Sequence, residues 1–475
     1  MSHIEGVDRN QSTLFPESLD RYITDENVVR FIDVFVSELD LGGLGFSKVT
    51  SKETGRPPYH PGDLLRLYIY GYLNKLHSSR SLERETERNV ELMWLIRKLR
   101  PDFKTIANFR RDNSEAIRGV CREFTLICKK LELFSGQLLA VDGSKFRAVN
   151  SRQKNFSKKR LEKSLKEIDE KVDKYLEELD VQDALEAEEK KLSADELREK
   201  IKRLKEAKGN YKNLLKSLNS SGERQISLTD PESRSMKSGA GCQVSYNVQV
   251  AVDEKHKLIV AHEVTNSVTD YGQLSGISIK AKELLGVEKF NVVADRGYYD
   301  SEDIKACLAE NITPFVPKSK TSANRKHGLY PKEAFTYNKK KDIFICPGNE
   351  KLTRRTTAIS KGRYYYYYET NACQQCKLKP KCTRSSGNRR VSRVVSGDAL
   401  EDMLLRVLRN PELMKKRQSI VEHPFGTIKG WMRHRQFLTR GKKHVGAEMA
   451  LSVLSYNLKR VVNIIGVRQM IAAVA

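Results

Sequence analysis

Between Gln137 and Val316 the apolar spacing changes in an order that leaves little choice of architecture. Leu138-Leu-Ala-Val-Asp142 is a short apolar run ended by an acid, the pattern of a buried strand. Gln243 to Asp253 alternates apolar and polar residues over its second half, and Lys257 to Val264 follows after a tight turn, so a hairpin is predicted. Then come a helix over Tyr271 to Leu285, a strand over Phe290 to Asp295, a short helix over Ser301 to Glu310 and a strand over Ile312 to Val316. Three strands, then helix, strand, helix and strand, make an α/β fold: a mixed sheet covered by helices.

Two insertions interrupt this order. From about Phe156 to Leu218 the first places Leu161, Leu165, Ile168, Val172, Tyr175 and Leu179 at four-three spacing. It repeats the pattern with Leu197, Ile201, Leu204, Tyr211, Leu215 and Leu218, skipping a turn at Lys208. Heptads in two arms predict an antiparallel coiled-coil hairpin, either a partner-binding arm or a solvated spacer. The second insertion, about Lys320 to Ala399, is rich in Lys, Arg, Tyr and Cys.

Before the first strand the spacing is helical, notably over Asp63 to Tyr72 and Ser81 to Leu95. Gly55-Arg-Pro-Pro-Tyr-His-Pro61 is an extended connector, because proline biases its predecessor away from helix. Pro101-Asp-Phe-Lys-Thr105 closes one helix and opens another, which carries Lys104, Arg110 and Arg111. That arrangement fits a helix-turn-helix with these cations facing DNA, and fits an ordinary helical bundle equally well. Lys and Arg number 86 against 61 Asp and Glu, a net charge of +25 that attracts polyanions, nucleic acid first among them.

Asp142 and Asp295 each end a strand candidate, and Glu422 lies in a late helix candidate, Arg417 to Lys429. Parallel neighbouring strands can bring two such acids to one sheet edge. Hard divalent ions prefer carboxylate oxygens, and two ions held by such acids serve phosphodiester displacement. Three segments, Val141-Asp-Gly-Ser-Lys145, Ala294-Asp-Arg-Gly-Tyr-Tyr299 and Ile420-Val-Glu-His-Pro-Phe-Gly-Thr-Ile-Lys429, follow in that order. Together they resemble the DDE transposases of bacterial insertion sequences. Gly55 to Pro61, Tyr70-Gly-Tyr72, Ser78 to Glu83 and Thr105 to Arg110 resemble the N-terminal block of one branch of that group.

The resemblance implies a ribonuclease-H-like core with Asp142, Asp295 and Glu422 as catalytic acids holding Mg²⁺ or Mn²⁺. It also implies cleavage of double-stranded DNA at the element's ends and strand transfer into target DNA by a homodimer or larger assembly. Lys429 keeps its place in the group's Tyr-Arg-Glu-Lys pattern, seven residues after Glu422 and on the same helix face. Arg417 stands one residue too far from Glu422, and no Tyr precedes it. Arg417 and Lys429 are expected to contact phosphate, and Pro424 to kink the helix near Glu422. A nuclease that cuts without joining, a DNA-binding protein without chemistry and a zinc-containing adaptor are the alternatives.

Cys346, Cys373, Cys376 and Cys382 form the one cysteine cluster in the sequence. A Cys-x-x-Cys knuckle with two further thiols suits tetrahedral Zn²⁺, and reduced structural cysteines are the other reading. Tyr364 to Tyr368 fits an alternating strand with one buried face better than a stacking surface for bases. No secretory pattern opens the chain, and Val461 to Ala475 is too short and too polar to span a bilayer, so a cytoplasmic, nucleoid-associated protein is expected. The expected division is a helical DNA-binding region over 1–130, a core over 135–320 and 400–460, insertions over 156–218 and 320–399, and a terminal helix over 461–475.

Overall fold

The computed structural model describes residues 18–50, 57–183, 191–239, 241–318, 323–360, 363–394 and 397–474. Gly55 and Arg56 of the expected connector, and Lys320 at the head of the second insertion, lie outside them. The chain opens with α1 (Val28–Ser37), α2 (Pro61–Leu73), α3 (Ser79–Arg88), α4 (Val90–Leu95), α5 (Phe103–Asp112) and α6 (Ser114–Lys130). His60 Nδ1 caps α2 by accepting from the Gly62 N–H, and Pro61 takes the first turn, where its missing N–H costs nothing. The single helix expected over Ser81 to Leu95 is two. Asn89, extended at ψ 115°, ends α3, and its side chain accepts from the Leu92 N–H to start α4.

β1 (Leu138–Arg147) is followed by β2 (Asn155–Ser157), α7 (Lys158–Asp183), α8 (Lys191–Ser221), β3 (Gln225–Ser227), β4 (Arg234–Ser238), β5 (Gly241–Asp253) and β6 (Ile259–Thr265). Next come α9 (Leu274–Leu285), β7 (Phe290–Ala294), α10 (Ser301–Ala309) and β8 (Ile312–Phe315). The main sheet runs β4-β5-β1-β7-β8, and β6 joins β4 on the outer edge of β5. β1 is antiparallel to β5 and parallel to β7, which is parallel to β8. β1 is five residues longer than expected, because β5 pairs with it as far as Arg147–Ser245. Asp142 is therefore mid-strand, not terminal.

The short β2–β3 ribbon is the base from which α7 and α8 leave and return. Ile168, Val172 and Leu179 pack on Leu197 and Ile201, with Tyr175, Leu204 and Tyr211 at the margin. Lys208, where the heptad skips, pairs with Asp169 of the facing helix. The second insertion holds α11 (Ala323–Lys326) and a five-stranded antiparallel sheet. Its strands are β9 (Thr336–Asn338), β10 (Ile343–Ile345), β11 (Lys351–Ser360), β12 (Arg363–Glu369) and β13 (Val391–Val394). Tyr368 of β12 is wholly buried against Phe344 and Val391, while Tyr364 at the other end is 57% exposed.

After it come α12 (Gly397–Arg409), α13 (Pro411–Gly426) and α14 (Lys442–Val474). α13 runs through Pro424 and passes into a π turn over Thr427–Trp431. The terminal helix expected over 461–475 is the end of α14, which breaks its backbone at Gly466 (φ 80°, ψ 165°). Every residue of α14 from Val445 to Leu458 is buried. One continuous apolar core joins α1 to α6, α13, α14 and the sheet face carrying Ala140, Phe146, Val248, Val250 and Val293. The boundary expected at Lys130 thus falls inside a shared core. The other sheet face, with Leu139, Val141, Ala251, Val292 and Ala294, lies under α9, α10 and α12. Among the described residues no helix is long and apolar enough to cross a membrane.

Candidate active site

The parallel pairing of β1 and β7 ends at Val141–Ala294, and the next residues on the two strands are Asp142 and Asp295. Side chains alternate along a strand, so both acids share the face of Ala140 and Val293, on which α13 packs through Ile420, Val421 and Phe425. Burial pushes the Asp142 carboxyl up to about 6. Arg417 pulls it down, its Nη1 4.0 Å from Asp142 Oδ1, while Asp295 and Asp270 push it further up. Asp295 Oδ1 accepts from the Gly297 N–H at 2.6 Å, which folds the Asp-Arg-Gly turn back on its acid. A Cβ on Gly297 would stand 2.8 Å from that oxygen, so a larger residue there would push the Asp295 carboxylate aside.

Lys429, on the π turn, donates to Ser144 Oγ at 2.5 Å and to the Lys145 carbonyl at 2.7 Å, and its ammonium lies over the Phe146 ring. Burial, with Lys145 and Arg435 nearby, lowers it to about 8 against the pull of Asp142. Glu422 is exposed on α13 and accepts from Gln418 Nε2 at 2.7 Å. The structure thus brings Asp142, Asp295, Arg417 and Lys429 to one place, while no described contact joins Glu422 to the two aspartates. α13 turns Arg417, Ile420, Val421 and Phe425 toward the sheet and leaves Glu422 on its flank.

Asp270 was missed in the sequence. It sits in the link between β6 and α9 and accepts from Asn247, Gln249 and Lys145. No strand ending or motif marked it there. Gln249 in turn accepts from the buried Tyr298 hydroxyl.

Of the cations expected to face DNA, Lys104 and Arg111 are exposed, and Arg111 pairs with Asp112 at 2.8 Å. Arg110 is a correction. It is only 6% exposed and donates to Tyr72 Oη at 3.1 Å. Its partners belong to a buried polar cluster: His77 and His434 stack beside Tyr72, and Glu448 of α14 accepts from His434, from both the N–H and hydroxyl of Thr439 and from the Leu438 N–H.

Cys346, Cys373, Cys376 and Cys382 line one cavity in the second insertion. The Gly348 and Glu350 N–H groups both donate to Cys346 Sγ at 3.3 Å. Burial pushes the Cys382 thiol up, as do the other three sulfurs. Among the described residues, no three His, Cys, Asp or Glu side chains are drawn close enough to hold a metal ion as they stand.

Residues 17–112 match a family described as a transposase domain (DUF772), and residues 345–462 match a transposase DDE domain. No curated protein matches the chain. A cryo-EM structure of the piggyBac transposase synaptic complex with hairpin DNA aligns with 94% of this chain and 79% of that one. The alignment has 8% identity and a TM-score of 0.33.

Proposed function

We propose that this chain, which carries the two matched domains of a DDE transposase of an insertion sequence, cuts DNA at the element's ends and joins the freed 3′-hydroxyl to target DNA. The observation that carries the reading is the register of Asp142 beside Asp295 at the end of a parallel strand pair. The strand order, with β1 central, antiparallel to β5 and parallel to β7, supports a ribonuclease-H-like core.

The residues fit Mg²⁺ or Mn²⁺. Two carboxylates stand side by side, and one has its charged form disfavoured by burial and by its acidic neighbours, a repulsion that a cation would relieve. Divalent ions there would activate the attacking oxygen and stabilise the leaving one in both displacements. Glu422, one helix face away, is the third acid of this reading. Arg417 and Lys429 hold the scissile phosphate against the aspartates. Lys104 and Arg111 offer exposed charge to the ends, α7 and α8 form a coiled-coil arm for a second copy, and the four thiols hold a structural Zn²⁺.

The test is cleavage of a labelled terminal-repeat duplex with Mg²⁺, followed by capture of its 3′-hydroxyl by a target plasmid. Asp142→Ala, Asp295→Ala and Glu422→Gln are expected to abolish both steps while end binding persists. Full activity in either aspartate variant overturns the reading, and cleavage without capture in the wild type reduces it to a nuclease.

A further inference from the structure

We infer that Asp270 is a positioning residue that sets the separation of Asp142 and Asp295 from the reverse face of the sheet. The inference rests on the function proposed above. Asp142 and Ser144 face α13 and the π turn that follows it, where Arg417 and Lys429 meet them. Gly143 and Lys145 face the other way, and their cross-strand partners on β5 are Gln249 and Asn247. Asp270 lies on that reverse side. One carboxylate oxygen, Oδ1, accepts from Asn247 Nδ2 at 2.7 Å, Gln249 Nε2 at 2.9 Å and Lys145 Nζ at 3.3 Å.

The glycine after Asp142 makes room for it. A Cβ built on Gly143 would stand 2.3 Å from Asp270 Oδ1 and 2.5 Å from Gln249 Nε2. Real Cβ atoms essentially never approach so closely, so the carboxylate occupies the space that Gly143 leaves empty. A Cβ on Gly297 would lie 3.7 Å from both Cβ and Oδ2 of Asp270. Asp270 is thus wedged between the residue after Asp142 and the turn after Asp295. Gln249 extends the brace, giving its amide N–H to Asp270 and taking the Tyr298 hydroxyl with its oxygen. Asn247 and Gln249 are wholly or almost wholly buried, and so is Tyr298. A charged acceptor gathering three donors among such groups is a rigid strut. Supporting contacts of this kind orient metal-binding carboxylates, and losing them costs about 10–100-fold in metal affinity or activity.

The experiment uses the full chain, with Mn²⁺ titrated calorimetrically and terminal-repeat cleavage measured in parallel. Asp270→Ala is expected to weaken Mn²⁺ binding and to slow cleavage by about 10–100-fold each, with the number of ions bound per chain unchanged. Asp270→Asn, which keeps an acceptor oxygen for the two amides, is expected to recover most of both. Gly143→Ala is expected to resemble Asp270→Ala, because its methyl displaces the carboxylate. Circular dichroism melts identify any variant that has failed to fold, and if Asp270→Ala is one of them Gly143→Ala decides, with wild-type Mn²⁺ affinity there overturning the inference. Wild-type Mn²⁺ affinity in Asp270→Ala overturns the inference. So does the loss of a whole ion per chain, which would make Asp270 a ligand instead. A wild type that binds Mn²⁺ in an Asp270-dependent way but cleaves no DNA leaves the strut standing and removes the transposase reading.

Discussion

Asp142 carries a charge its surroundings resist, and this has a measurable sign. Its carboxyl titrates at about 6 in the folded chain against 3.8 when free, so the stability it contributes is full below pH 3.8 and is lost as pH rises through 6. Without divalent ions, Asp142→Asn is therefore expected to raise stability at pH 7.5 by up to about 3 kcal/mol, read as a higher melting temperature. Mg²⁺ should stabilise the wild type and not the variant. Lys429→Ala is expected to raise the DNA concentration needed for half-maximal cleavage while leaving Mn²⁺ binding intact. Glu448 behaves in the opposite sense. Burial would raise it, but the hydrogen bond from His434, the charge of Arg110 and the Thr439 hydroxyl hold it near 2. Its contribution is present above pH 4.5 and is lost only as pH falls through 2. Glu448→Ala leaves Arg110 buried without its counter-charge and is expected to cost about 3–5 kcal/mol in urea unfolding. The two aspartates were legible because each closed an apolar run. Arg110 was misread because the groups that bury it, Tyr72 of α2 and the charge of Glu448 on α14, lie far from it in the chain. Asp270 was invisible for the same kind of reason: its donors lie on β1 and β5, not beside it in the chain.

Elements were legible where one period ran unbroken. The strands at Phe290 and Ile312 appeared within a residue or so of their expected ends, and the heptads marked the contacts between α7 and α8. Strands defined by their partners were not legible. β1 continues through Gly143-Ser-Lys because β5 lies alongside, and β2, β3 and β4 are short and polar, with no alternation to mark them. Pro424 was expected to kink its helix. α13 runs through it for two more residues and passes into the π turn that carries Lys429 to Ser144. Such turns often mark functional sites. In the second insertion, the proposed thiol site should hold about one Zn²⁺ per chain. Cys373→Ser with Cys376→Ser is expected to remove it, by elemental analysis, and to make β9–β13 protease-sensitive while DNA-end binding through the helical region persists. Zinc-free protein from a chelator-free preparation would dismiss the site.

At the scale of the molecule, the first six helices and the last one share one core. α14 lies against α1, α2 and α6 inside the same apolar core, and buries fourteen successive residues from Val445 to Leu458. A fragment ending at Lys130 is therefore expected to show no cooperative melting transition, although its sequence reads as a helical region of its own. End binding has to be measured on the whole protein, where the net charge of +25 predicts an affinity that falls steeply with salt. A flat salt dependence between 50 and 200 mM, a range of about four-fold, would deny phosphate the main role. The late arrival of α14 also sets a clock. A ribosome adding about 5–20 residues per second needs roughly 15–60 s to travel from Lys130 to Lys442. Throughout that interval the first six helices have been made and their partner has not. A message broken anywhere in that span yields protein that lacks α14, and with it the partner against which α1, α2 and α6 are buried.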